Sequence, residues 1–160
     1  MFKKVLLGSS ILVSSLLLHG SPTALASNPI QLEANGAVYS AKKDFTVVDG
    51  HVYVKFKTLT SIIDASNRWN NETSEIARII TEFSDEANDQ IFWHKNSKKV
   101  TVSLDGKTET INMKLSTITK DKKMLIPLRE AITMLNKLID IQLEWEGKEK
   151  KVVVTGKLIY

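Results

Sequence analysis

A chain of 160 residues, 42% hydrophobic and 25% charged, has the composition of a globular protein large enough for its own core. It contains no cysteine, which excludes disulfides and a lipid-modified cysteine and leaves the core to hold an extracellular fold. The 22 basic and 18 acidic residues become 20 and 18 without Lys3 and Lys4, a net charge of +2. That balance is too even for a nucleic-acid footprint, so no nucleic-acid partner is expected.

Lys3 and Lys4 precede a mostly apolar run, Val5 to Leu18, and Ala24-Leu25-Ala26 follows with small residues at both positions that a signal peptidase needs. The pattern predicts an export signal over residues 1–26 and a mature chain over 27–160. Gly8, Ser9, Ser10, Ser14 and Ser15 interrupt the run, which falls short of the ~20 apolar residues of a spanning helix. The expectation is a secreted or envelope-associated protein with no membrane span after cleavage; a retained anchor is the alternative.

Residues 27–29 read as a loose end. Ile30 to Ala34 and Ala37 to Tyr39 then flank Asn35-Gly36, a pair that tolerates positive φ and so suits a two-residue hairpin. After the Asp49-Gly50 turn, Val52, Val54 and Phe56 alternate as on one buried strand face. Leu59, Ile62 and Ile63 switch to helical spacing. An insertion at about 66–90 follows. Asn67 to Thr73 is a polar break, and the period of Ile76, Ile79, Ile80 and Phe83 predicts an amphipathic helix over 73–83 capped by Thr73. On that helix Glu75, Arg78 and Glu82 would pair across the solvent face. The insertion is either a stabilising lid or an added partner surface.

Ile91 to Ser103 reads as a strand pair around a polar turn, and Val100 to Leu104, Asp105-Gly106 and Thr108 to Met113 as a further hairpin. Met124, Ile126 and Leu128 alternate beyond the Asp121-Lys122-Lys123 turn. Pro127 can stand just before a helix, with Leu128, Arg129 and Glu130 as its first turn and Ala131, Ile132, Leu135, Leu138 and Ile139 as its stripe. A last strand pair carries Leu143 and Trp145, turns at Gly147 to Lys150, and returns through Val152 to Val154.

The second half repeats the first. His51 to Leu59 reads against Lys123 to Ala131, and Ile91 to Ser103 against Leu143 to Thr155, with Trp93 matched to Trp145. The fold class expected is α+β: duplicated strand-rich units, with short amphipathic helices packed on small antiparallel sheets. The strand Val100 to Leu104 would close one unit and open the next. Both indoles are expected at equivalent core or rim positions, the other reading being an aromatic platform for a sugar or peptide.

Chemistry is sparse. His19 leaves with the signal, and His51 and His94 match Lys123 and Glu146 in the repeat, as surface residues would. A bridging metal would need both histidines with carboxylates such as Asp49 or Glu146. The acidic set Glu82, Asp85, Glu86 and Asp89 has the spacing of a solvated helix end. Gly-x-Ser-x-Gly and glycine-rich phosphate loops are absent, and Ser116 and Thr117 near Lys114 and Lys120 give only a weak Ser–Lys pair. No catalytic, cofactor-binding or metal residue is assigned, and no cofactor and no enzymatic activity are expected.

Ile30 to Gly36, Asp49 to Val54, Met124 to Ala131 and Leu143 to Val154 resemble the copper amine oxidase N-terminal-like domain, the stalk domain of exported bacterial proteins, especially of spore-forming Gram-positive bacteria. The likeness spans Ile30 to Thr155 and is strongest over 124–154; Lys55-Phe56-Lys57 and the insertion depart from it. It implies an α+β module without copper or quinone. It also implies a structural role for Arg129, within Pro127-Leu128-Arg129, in fixing a local loop. The function expected is a non-catalytic exported protein making contacts with an unknown protein or a cell-wall polymer. A secreted inhibitor or regulator acting through residues 66–90, and an extracellular hydrolase with an unrecognised site, are the alternatives.

Overall fold

Four two-residue turns set the strand registers. The computed structural model describes residues 29–65, 71–83 and 88–157; the expected signal segment, His19, residues 67–70 of the polar break, and Asp85 and Glu86 of the acidic set lie outside them. Strands β1 (Gln31–Ala34) and β2 (Ala37–Tyr39) are joined through Asn35 and Gly36, at φ 49° and 81°. Strands β3 (Phe45–Val48) and β4 (His51–Lys55) are joined through Asp49 and Gly50, at 50° and 78°, and β4 runs straight into helix α1 (Phe56–Ile62). Next come β5 (Asn71–Glu72), β6 (Ile76–Phe83), β7 (Asn88–His94) and β8 (Lys99–Leu104), then β9 (Lys107–Asn112) across Asp105-Gly106. Strands β10 (Ile118–Lys120) and β11 (Lys123–Pro127) turn through Asp121 and Lys122, at φ 50° and 62°, and β11 enters helix α2 (Leu128–Leu135). Strands β12 (Gln142–Glu146) and β13 (Lys151–Thr155) complete the chain's described part. Paired left-handed residues match the twist of a hairpin, which is why Asn-Gly and Asp-Gly recur at these corners.

The fold is mixed α+β, with three small sheets ordered β12-β13-β1-β2, β10-β11-β4-β3 and β5-β6-β7-β8-β9. Pairing is antiparallel except between β1 and β13, which run parallel, Leu32 opposite Val152. In the second sheet, β4 and β11 lie side by side about the pair Val54 and Ile126, and each delivers a helix at its end. The hairpins β3–β4 and β10–β11 flank that centre on opposite sides. Leu32 and Val154, Val54 and Ile126, Ile79, Trp93 and Val100, and the helix residues Leu59 and Leu135 all enter one contiguous core. Apolar side chains from all three sheets and both helices are thereby removed from water together, at ~25 cal/mol per Å².

Three expectations are corrected. Residues 76–83 form strand β6, not a helix. Ala77 and Ile79 face the core opposite Trp93 and Ile91, while Ile80 is buried from the other side. Apolar residues on both faces of a strand mimic helical spacing, and β-branched isoleucines favour the pleated form. Thr73 does cap, but it caps the turn into β6: its Oγ1 accepts from the Ile76 N–H at 3.1 Å. Glu75 pairs with Lys95 at 3.0 Å instead of Arg78. Second, β11 buries Met124, Leu125, Ile126 and Pro127 in succession, so it is covered on both faces rather than alternating. Third, Asp89 belongs to no solvated helix end. It is buried in β7, and its Oδ1 accepts from the Asp105 N–H at 2.9 Å.

The parallel β1–β13 pair, invisible in the repeat, is locked by one side chain. Asn35 Nδ2 donates to Ile62 O and Gly156 O, each at 3.0 Å, and Asn35 Oδ1 accepts from Gly156 N–H at 3.1 Å. Gly156 holds φ 101°, and a Cβ there would stand 2.2 Å from the Asp140 carbonyl oxygen. Gly156→Ala should therefore lower the unfolding free energy by roughly 2–4 kcal/mol in denaturant titrations; a change near zero would show that this corner is not strained. The two matched indoles should differ just as sharply. Trp93 is fully buried and Trp145 is 45% exposed, so Trp93→Ala should cost ~3–5 kcal/mol and Trp145→Ala roughly 1 kcal/mol. Equal losses would contradict the difference in burial.

Candidate functional site

The position of Trp145 follows from the order of strands. Trp93 opposite Val100 and Trp145 opposite Val152 occupy the same place in two antiparallel hairpins. Strand β7 is interior, with β6 on its outer side, so Trp93 is enclosed. Strand β12 is the edge of its sheet, and among the described residues nothing pairs beyond it to cover the second indole. The two rings are thus not equivalent, contrary to the sequence expectation. The pyrrole side of Trp145 rests against Gly147, where a Cβ would lie 3.4 Å from the indole nitrogen.

Two hollows meet at this ring. One, of about 570 Å³, lies between the first two sheets; Leu143, Trp145 and Val152 form one wall, and His51, Pro127 and Arg129 the other. Its rim carries Lys114 and Glu130. The second, of about 580 Å³, is bounded by Phe45, Val47, Gly147, Lys42 and Lys150. Ile30 and Trp145 border both. The β1 end places Ile30, the β3–β4 turn places His51, and the start of α2 places Arg129.

Electrostatically the site is cationic. Lys42, Lys114, Arg129 and Lys150 make no ion pair among the described residues, in contrast to Lys151 nearby. Lys151 Nζ is 3.0 Å from Glu146, 3.5 Å from Glu33 and 3.6 Å from Glu149. Its pKa is raised, chiefly by the hydrogen bond to Glu146. Glu130 Oε2 accepts from the Lys114 backbone N–H at 3.3 Å, which holds the rim segment against α2. Arg129 is exposed, and its guanidinium has no hydrogen bond among the described residues. The loop-fixing role that the resemblance implies for it is not what the geometry displays.

The other residues singled out in the sequence are dispersed. His51 is exposed at the cleft, whereas His94 Nε2 lies 3.0 Å from Thr101 Oγ1 on the third sheet. No group of three or more metal-ligating side chains occurs among the described residues. Thr117 is buried and structural: its Oγ1 donates to the His94 carbonyl at 2.5 Å and accepts from the Ser97 N–H at 3.1 Å. No hydrogen bond links Ser116 to Lys114 or Lys120 among the described residues. Among them, too, no helix is long and apolar enough to cross a membrane.

Comparison with protein-family models, curated proteins and solved structures finds no match to this chain.

Beside the cleft, Tyr53 is buried on β4, and its phenol pKa is raised by that burial, then by the charges of Asp49 and Glu130. A phenol raised in the folded state loses its proton first in the unfolded chain, so its contribution is constant below the ordinary value of 10.0 and is lost as pH rises beyond it. Unfolding free energy measured from pH 8 to 11 should fall at the alkaline end, and Tyr53→Phe should flatten the fall. An unchanged slope in that variant would exclude Tyr53 as its source.

Proposed function

We propose that this chain is a non-catalytic exported protein of the stalk-domain type, built from two duplicated units, that contacts a cell-wall polymer or envelope protein through the cleft at Trp145. The half-exposed indole between two hollows is the observation that carries this reading. A large apolar ring left in water on an edge strand costs solubility, and such rings are typical anchors of recognition surfaces. The floor supplied by Ile30, Leu143 and Val152 is apolar and the rim is charged, the arrangement expected of a binding site.

The duplication is supported by the matched order β3–β4–α1 and β10–β11–α2 and by the central Val54–Ile126 pair. Strand β8 pairs with β7 on one side and β9 on the other, as a strand shared by two units would. Export is supported by the residues of the first 26 positions alone.

The regulator reading, in which residues 66–90 are a detachable partner surface, fits less well. Within that segment strand β6 contributes Ala77 and Ile79 to the core and pairs them with Trp93 and Ile91 of β7, so removing the segment would open the fold itself.

The purified protein immobilised on a support should retain wall or envelope material, and Trp145→Ala should cut the retained amount at least tenfold while leaving the circular dichroism unchanged. Equal retention by the variant would overturn the cleft as the contact. Turnover of esters, peptides or glycans, abolished by replacing one polar residue, would overturn the non-catalytic reading.

A further inference from the structure

The charges around Trp145 lie on both sides of the ring. Lys114 and Arg129 border one hollow, Lys42 and Lys150 the other, and among the described residues Glu130 is the single carboxylate that lines either. None of the four cations is neutralised by an ion pair among the described residues, although Lys151 close by collects three glutamates. Acidic residues are therefore available in this region but are gathered onto Lys151. The two hollows share Ile30 and Trp145, so an occupant of one can continue past the indole into the other.

We propose that the two hollows form one groove for a linear anionic glycan: a sugar ring lies on Trp145, and carboxylate or phosphate groups of the flanking sugars meet Lys114 and Arg129 on one side and Lys42 and Lys150 on the other. This names the polymer class for the contact proposed above and rests on that reading. The C–H face of a pyranose is flat and apolar and matches the exposed indole face, while its substituents point sideways to charged and polar groups. An acidic peptide would be expected to anchor a side chain in an enclosed pocket. Here the hollows are open and the ring is central. Unpaired cations spaced along a groove suit a polymer with repeated charge, and such contacts weaken as salt screens them.

The test is a fluorescence and calorimetric titration of the purified protein with four probes of similar length: hexagalacturonate, a phosphorylated dextran, maltohexaose and hexaglutamate. One or both anionic glycans should bind at least tenfold more tightly than maltohexaose and hexaglutamate, and which of them binds assigns the anion as carboxylate or phosphate. Trp145→Ala should weaken that binding at least tenfold, and Arg129→Gln or Lys150→Gln, both surface changes that leave the core intact, about three- to tenfold. Raising salt from 50 to 200 mM should weaken it further. Hexaglutamate binding as well as the glycans, or affinity independent of Trp145, would overturn the proposal. Maltohexaose bound equally tightly through Trp145 would overturn the anionic glycan and leave the cleft as a contact site. So would failure of all four probes while envelope material is still retained in a Trp145-dependent way.

Discussion

The pairing of β4 with β11 is the constraint from which the rest of this architecture follows. It brings Val54 and Ile126 side by side at the centre of a four-stranded sheet, both fully buried. Each strand ends where a helix begins, so one pairing orients both helices against the same core. It also sets the cleft. With β11 beside β4, the Pro127-Leu128-Arg129 corner comes close to the His51 end of the neighbouring hairpin, and these two corners form the wall that faces Trp145. Residues far apart in sequence become partners at the site because two short strands share one ladder.

The second constraint is closure of the chain on itself. Strand β13 lies parallel to β1, and Asn35 ties the β1–β2 turn to Gly156 and to the last turn of α1. A parallel neighbour cannot be reached by a tight turn and needs a long connection; here most of the described chain lies between the two strands. The closure gives β12 a sheet to sit on and leaves it at the edge. Ile30, just ahead of β1, thereby borders with Trp145 the same two hollows.

Much of this was legible. Asn35-Gly36, Asp49-Gly50 and Asp105-Gly106 marked their hairpins because paired residues at positive φ are tolerated by few sequences. The passage from alternation to helical spacing marked α1 and α2. The segment 73–83 was misread because Ile76, Ile79, Ile80 and Phe83 satisfy the helical period while Ile79 and Ile80 are buried on opposite faces of a strand. Local periodicity does not distinguish a helix with one buried stripe from a strand with two covered faces. The turn expected at Asp121-Lys122-Lys123 forms with Asp121 and Lys122 at φ 50° and 62°, although no glycine marks it. The site was the least legible part. Trp145 could be noted and matched to Trp93, but its exposure depends on which strands pair outside its own, a matter of tertiary order. Gly147, two residues on, was the one local sign that its ring has backbone close beneath it.

The contrast between the two indoles follows from where each strand stands in its sheet. At matched positions, a tryptophan on a paired strand and a tryptophan on an edge strand face different surroundings. Strands β5 and β6 add a layer of pairing beyond β7, and Trp93 becomes core, its ring shielded although its N–H finds no partner among the described residues. Among the described residues no added strand flanks β12, and the same side chain becomes surface. On the proposed duplication, the insertion in the first unit thus closed one potential site and left the other open. On the proposed function, the specificity of the open one would rest on what differs between the halves: the cations Lys42, Lys114, Arg129 and Lys150 line the hollows beside Trp145. The frame accounts for where the ring stands, and the unshared residues account for what it can hold.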